Sequence, residues 1–317
     1  MKRRATGVAL ALALSGACGG ESKPLSLDEP IRIPAALFKE GPLPGFAASP
    51  DEPPPGDLHL TSLESQSGIA FAGQIGKALA GRTTTDAVAI GVRFAGAGTG
   101  YWVQPLGFPD LLRNGELTFD LRIDFAETVP LGNQKLELVA LDANGEGGVQ
   151  SALSLCVDGV IPDNFNVCAP NLPPPAAVLS LDWDTAADVD LEVTTPDGKV
   201  VDATHPSTAG KGATAAQIAA GGVLDRDAQA DCRATGPRRE NLIFQKPPAP
   251  GAYQVRVNLF SACGAAVANF KVTLYRSEVV DGAPTPLVAG PAIVGTLLAG
   301  QANGGAVSGL YIGSFEL

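Results

Sequence analysis

From about residue 59 to 160 the chain alternates apolar and polar positions with a period of two. Leu117, Phe119, Leu121, Ile123 and Phe125 take turns with Thr118, Asp120, Arg122 and Asp124, and Val88, Ile90, Val92 and Phe94 repeat the pattern. Successive side chains of a strand point to opposite sheet faces, so this period predicts strands with one face toward a core. Asn114-Gly115 and Asn144-Gly145 stand beside these runs as hairpin-type turns. The stretch from Ile69 to Ala80 reads as one short helix or, given its glycines, as a pair of strands. The period returns between 177 and about 276, in Val189, Leu191 and Val193, then in Tyr253, Val255, Val257 and Leu259, then in Phe270, Val272 and Leu274. Pro196-Asp197-Gly198 is a turn between two of these runs. Residues 204–222 are small and polar and read as a loop or a short weak helix. Leu287 to Leu298 and Leu310 to Phe315 read as further strands.

Proline divides the pattern into parts. Residues 18–58 lack sustained periodicity, contain Pro53-Pro54-Pro55, and read as an extended tether. Pro173-Pro174-Pro175 marks a stiff linker at 169–176. The fold class expected is therefore all-β, with two immunoglobulin-like β-sandwich domains at 59–168 and 177–317.

The N-terminus carries an address. Lys2, Arg3 and Arg4 precede the apolar run Val8 to Leu14, which is too short to cross a bilayer. Ser15-Gly16-Ala17-Cys18 follows. Leu14 through Cys18 resembles the lipobox of bacterial lipoproteins. The resemblance implies cleavage after residue 17, acylation of Cys18 and attachment to a membrane. By the sorting rule of enteric lipoproteins, Gly19 points to the outer membrane of the cell envelope.

Composition narrows the function. The 317 residues hold 33 acidic and 22 basic side chains, for a formal charge of −11. Nucleic-acid binding needs a basic patch to displace counterions, and this balance argues against it. With Cys18 set aside, Cys156, Cys168, Cys232 and Cys263 remain. An even number in an exported chain predicts disulfides, with neighbouring pairs favoured. No Cys-x-x-Cys occurs, so zinc-ribbon and thioredoxin-type readings have no support.

Candidate chemistry concentrates in the second domain. Asp182, Asp184, Asp188, Asp190 and Glu192 crowd together, and in a strand Asp188, Asp190 and Glu192 share one face. Like charges so placed repel unless solvent or a cation screens them. Asp225 and Asp227 repeat the i, i+2 spacing. Paired carboxylates with loop carbonyls suit calcium, although a solvated acidic face has the same pattern. The blocks Leu181-Asp182-Trp183-Asp184, Asp188-Val189-Asp190-Leu191-Glu192-Val193, Gly221 to Asp227, Gly236-Pro237 with Glu240-Asn241, and Pro250 to Val255 occur in order. Together they resemble the YfaP-like family of uncharacterised bacterial domains over roughly 178–275. The Asp-x-Asp-Leu element also resembles tellurium-resistance-type domains, which bind calcium. These resemblances imply an immunoglobulin-like sandwich with Asp188, Asp190 and Asp227 as ligands and Asp225 next.

Enzyme motifs are scarce. His59 and His205 lie in different domains without a nucleophile pattern around either, and Gly-x-Ser-x-Gly is absent. Gly96-x-Gly98-x-Gly100 precedes a strand pattern rather than a helix and reads as a hairpin loop. Tyr101-Trp102 beside it is a candidate sugar-stacking platform. The expectation is a non-enzymatic envelope lipoprotein acting as a binding or structural module, its second domain stabilised by calcium and its ligand an unknown protein or glycan. A carbohydrate-binding accessory protein is the alternative, and a two-carboxylate hydrolase is weaker.

Overall fold

The computed structural model describes residues 29–47 and 58–317, apart from Gln66, Asn114 and Thr235. Residues 1–17, Cys18 and the 48–57 part of the tether lie outside the described residues. The first half forms β1 (Ile31–Arg32), β2 (Leu37–Glu40), β3 (Leu60–Ser65), β4 (Ile69–Phe71), β5 (Lys77–Thr84), β6 (Ala89–Phe94), β7 (Gly100–Pro105), β8 (Glu116–Phe125), β9 (Gly132–Leu141) and β10 (Ser151–Asp158). These make a four-stranded sheet in the order β1-β8-β5-β3 and a six-stranded sheet in the order β2-β7-β6-β9-β10-β4. Leu121, Ile123 and Phe125 from the one and Val92, Leu136 and Leu138 from the other meet in a shared core. The stretch that reads as helix or strands resolves into β4 and β5.

The second half continues with β11 (Ala177–Trp183), β12 (Asp188–Thr194), β13 (Val200–Val201), the helix α1 (Ala215–Ala220), β14 (Gly222–Leu224), β15 (Arg239–Phe244), β16 (Ala252–Ser261) and β17 (Val267–Arg276). It ends with β18 (Val279–Val280), β19 (Ala283–Pro284), β20 (Val288–Leu298) and β21 (Leu310–Glu316). Its sheets run β14-β15-β11-β17-β20 and β13-β12-β16-β21, and β18-β19 forms a separate small ribbon. Val189, Leu191 and Val193 of β12 pack against Leu179, Leu181 and Trp183 of β11 in one core. Two disulfides, Cys156–Cys168 and Cys232–Cys263, brace the chain. Closing loops of these lengths restricts the unfolded chain by about 3 kcal/mol or somewhat more each.

Part of the supposed tether is folded. Residues 29–47 dock on the first sandwich, with β1 pairing antiparallel with β8 and β2 with β7. Arg32 donates to the buried Asp124 carboxylate at 2.9 Å, and the same carboxylate accepts the Gly76 N–H at 2.8 Å. The β2–β7 approach requires Gly100, since a Cβ there would stand 2.0 Å from the Lys39 carbonyl oxygen. Proline content alone does not reveal this docking, because the elements are only two and four residues long.

The same segment removes the stacking platform. Trp102 faces the core at 2% exposure, donates its indole N–H to the Ile31 carbonyl at 2.9 Å and meets Phe38 edge-on. Tyr101, at 8%, points to the other face of its sheet, where Leu43 covers it with Val139 and Leu141. A stacking ring needs an open face, so neither residue serves that role. Trp102→Ala is expected to lower unfolding stability by about 3–5 kcal/mol in urea titration. Trp102→Phe should lose about 1–3 kcal/mol, because the Ile31 carbonyl is left without its donor. A loss below about 1 kcal/mol in Trp102→Ala would contradict the packing described.

Candidate metal centre

Strand alternation builds one wall of the site. Val189, Leu191 and Val193 are buried between the sheets, so Asp188, Asp190 and Glu192 stand on the outer face of β12. The neighbouring strand β16 places Asn258 opposite Asp190 and Arg256 opposite Glu192. Asn258 donates its amide N–H to Asp190 Oδ2 at 3.2 Å. Glu192 accepts the Gly309 N–H at 3.1 Å and lies 3.8 Å from the Arg256 guanidinium.

The loop after β14 supplies the other wall, and four restraints hold it there. Asp225 accepts the Asn241 backbone N–H at 2.9 Å and its side-chain amide at 2.8 Å. Glu240, fully buried, accepts the N–H of Ala228 at 3.1 Å and of Leu191 at 2.8 Å. The Asp231 N–H donates to Asp188 Oδ2 at 2.9 Å. Cys232, in a 3-10 turn at Ala230–Cys232, is bonded to Cys263 in the turn after β16.

These restraints bring Asp227 to the face of β12. One carboxylate oxygen each from Asp188, Asp190 and Asp227 lies within 4.8 Å of the others. Oxygens bound to one calcium at 2.3–2.6 Å can stand up to about 5 Å apart, so the three fit a single coordination sphere. They open into a cavity of about 380 Å³ whose wall adds Glu192, Asp202 and Asp231 but no basic side chain. Asp225 is not part of the cluster. The chain leaves strand geometry after Leu224, so an i, i+2 pair no longer shares a face, and Asp225 turns back to bind Asn241.

Electrostatics follow from the crowding. Burial, with the charges of Asp227 and Asp231, pushes the Asp188 carboxyl up to about 6 against the opposing pull of the Asp231 N–H. Burial and then the Asp188 charge push Asp190 up to about 7, with the Asn258 amide opposing. Asp227 is raised by burial and by Asp231, and Glu240 is raised well above its ordinary value, chiefly by burial. Without a cation the cluster therefore takes up protons at a higher pH than ordinary carboxylates do.

Sequence periodicity alone points to Asp188 and Asp190, and it misses Asp231, which enters through its backbone. Glu240 had a signal of its own: it shares parity with the core residues Leu242 and Phe244. A charged side chain on the core face of a strand has to be partnered there. Compared with known families and curated proteins, the chain matches no family model and no curated protein.

Two outcomes are expected. Glu240→Ala leaves two buried N–H groups unpartnered and should lose about 1–3 kcal/mol for each in urea titration. For pH, the folded values of Asp188 and Asp190 lie above the unfolded value near 3.9. Their contribution to stability is then present in full below pH 4 and lost as pH rises through 6 to 7. In chelator, Asp190→Asn should flatten the decline in melting temperature between pH 5 and pH 8. Asp158, raised to about 7 by burial and by Asp163, adds a decline of the same sign, so only the difference from the wild type reports the site. Equal slopes in both proteins would exclude the arrangement.

Proposed function

We propose that the chain is a cell-envelope lipoprotein acting as a non-enzymatic binding or structural module, with its second sandwich stiffened by calcium. The observation that carries the cation reading is the convergence of Asp188, Asp190 and Asp227 from two chain stretches on one point. Every candidate donor is an oxygen, and neither His nor Cys lines the cavity. That set favours a hard cation over zinc or copper. Calcium accepts six to eight oxygens in irregular geometry, whereas magnesium demands a near-ideal octahedron at 2.0–2.1 Å. Three carboxylates on an open cavity suit the first requirement better, with loop carbonyls or solvent completing the shell.

The envelope reading is supported by the basic n-region, the short apolar run and Cys18. The two disulfides add to it, because such bonds persist in oxidising compartments. The non-enzymatic reading is supported by the histidine surroundings. Thr204 Oγ1 and Asp202 Oδ1 both meet His205 at the same ring nitrogen, Nδ1, at 2.9 and 3.1 Å. A relay needs the nucleophile on one nitrogen and the orienting acid on the other. Oxygens of Asp188, Asp190 and Asp227 lie within 4.8 Å of one another, closer than the roughly 5–9.5 Å by which paired carboxyls flank a glycosidic bond.

The test is a thermal melt. For a Kd near 10⁻⁴ M, usual for extracellular modules, 1 mM calcium should add about 1–2 kcal/mol of stability, and chelator should remove it. Asp190→Asn is expected to abolish the shift. Asp225→Asn should lower the melting temperature but keep the calcium response. The absence of any shift with about 5 mM calcium would rule out the site.

A further inference from the structure

The edges of the four large sheets are not alike. β1 carries Arg32, β2 carries Lys39 and Glu40, β3 carries Glu64, and β21 carries Glu316. The uncharged edges β4, β13 and β14 are two or three residues long. Charge and shortness are the usual protections against edge-to-edge pairing. Among the described residues, β20 is the one edge strand with neither. It has 11 residues, pairs with β17 on one side and has no strand on the other.

Its first part is blunted by Pro291 and by a register shift opposite Leu274, between Thr273 and Tyr275. From Ala292 to Leu298 the pairing with Val267–Thr273 is regular. Val294 is 72% exposed there and Leu298 56%. No charged residue and no histidine occurs between Asp281 and Glu316. β21, toward which Ile293 reaches at Gly313, adds no charge to this side before Glu316 at its end. Beside the regular part of β20 the inward charge is paired: Lys271 stands opposite Val294 and lies 3.5 Å from Asp182.

We propose that β20 is a self-association edge, on which a second copy of this chain adds its own β20 antiparallel across a two-fold axis between Ala292 and Leu298. Where two copies meet through their acidic surfaces they present like charge to each other. Along β20 they present apolar, neutral strands with open backbone donors and acceptors. An antiparallel pair of identical strands is self-complementary and closed, so association stops at two copies and joins two five-stranded sheets into one.

The experiment is sedimentation equilibrium of the full chain carrying Cys18→Ser, which prevents association through acyl groups, from about 5 to 200 µM. The expected result is a mass that rises toward twice 32.2 kDa with concentration. Val294→Lys should weaken association at least tenfold, because it sets two like charges beside the axis, and Leu298→Lys, which puts a charge at each end of the pairing, should weaken it by a smaller factor. Both side chains are exposed, and an unchanged circular dichroism melt establishes that each variant is folded. Leu111→Lys, at an exposed loop tip in the first sandwich, should leave the dimer intact. A mass of one chain at every concentration would overturn the proposal. A dimer indifferent to both β20 variants, or one lost in Leu111→Lys, would also overturn it by placing the contact elsewhere.

Discussion

Like charges gather within one coordination sphere only where something other than their own chemistry holds them. In this chain that constraint is the clamp on the loop that carries Asp227. The buried Glu240 carboxylate takes one N–H from β12 and one from the loop. The Cys232–Cys263 bond fixes the far end of the loop to the turn after β16. Asp188 contributes from the opposite wall, since its Oδ2 accepts the Asp231 N–H and part of its charge is used to hold the loop. Burial first, and then the repulsion that remains, raises the carboxyl values, and either a proton or a cation relieves the repulsion. The site is therefore a balance between covalent and hydrogen-bonded restraint on one side and Coulomb repulsion on the other.

The first sandwich shows the same dependence on remote chain. Its six-stranded sheet has an apolar outer patch at Ala89, Tyr101, Val139 and Leu141, which the neighbouring strands cannot cover. Leu43 covers it, brought there by β2 on the sheet edge and anchored at Phe46, whose N–H donates to the Gly148 carbonyl. Burying that patch, and the Trp102 indole under β1, gives residues 29–47 a structural role that their proline content conceals. The same docked segment thus accounts for two departures from local pattern: it is folded where proline suggests a tether, and it covers Tyr101 and Trp102.

Charge is distributed unevenly, and the distribution separates three kinds of surface. The cavity beside β12 concentrates carboxylates, most of the sheet edges carry isolated charges or end early, and β20 itself is neutral. Acidic surfaces oppose the close approach of copies, the carboxylate cavity offers the oxygen donors that a hard cation takes, and a neutral edge leaves backbone pairing unopposed.

The sequence alone determined the local features. Period-two alternation set the strands, their inward residues and the all-β class, because side-chain direction along a strand depends only on parity. It also put Asp188, Asp190 and Glu192 on one face for the same reason, and the neighbouring cysteine pairs were legible from spacing. Tertiary structure alone decided which of Asp225 and Asp227 joins that face, since parity stops carrying information where the strand ends. It decided too that Tyr101 and Trp102 are covered, that Glu240 is a strut, and that β20 is left as an open edge. Each of these depends on which segment lies beside which in space, a property of strand order and loop restraint that no local pattern encodes.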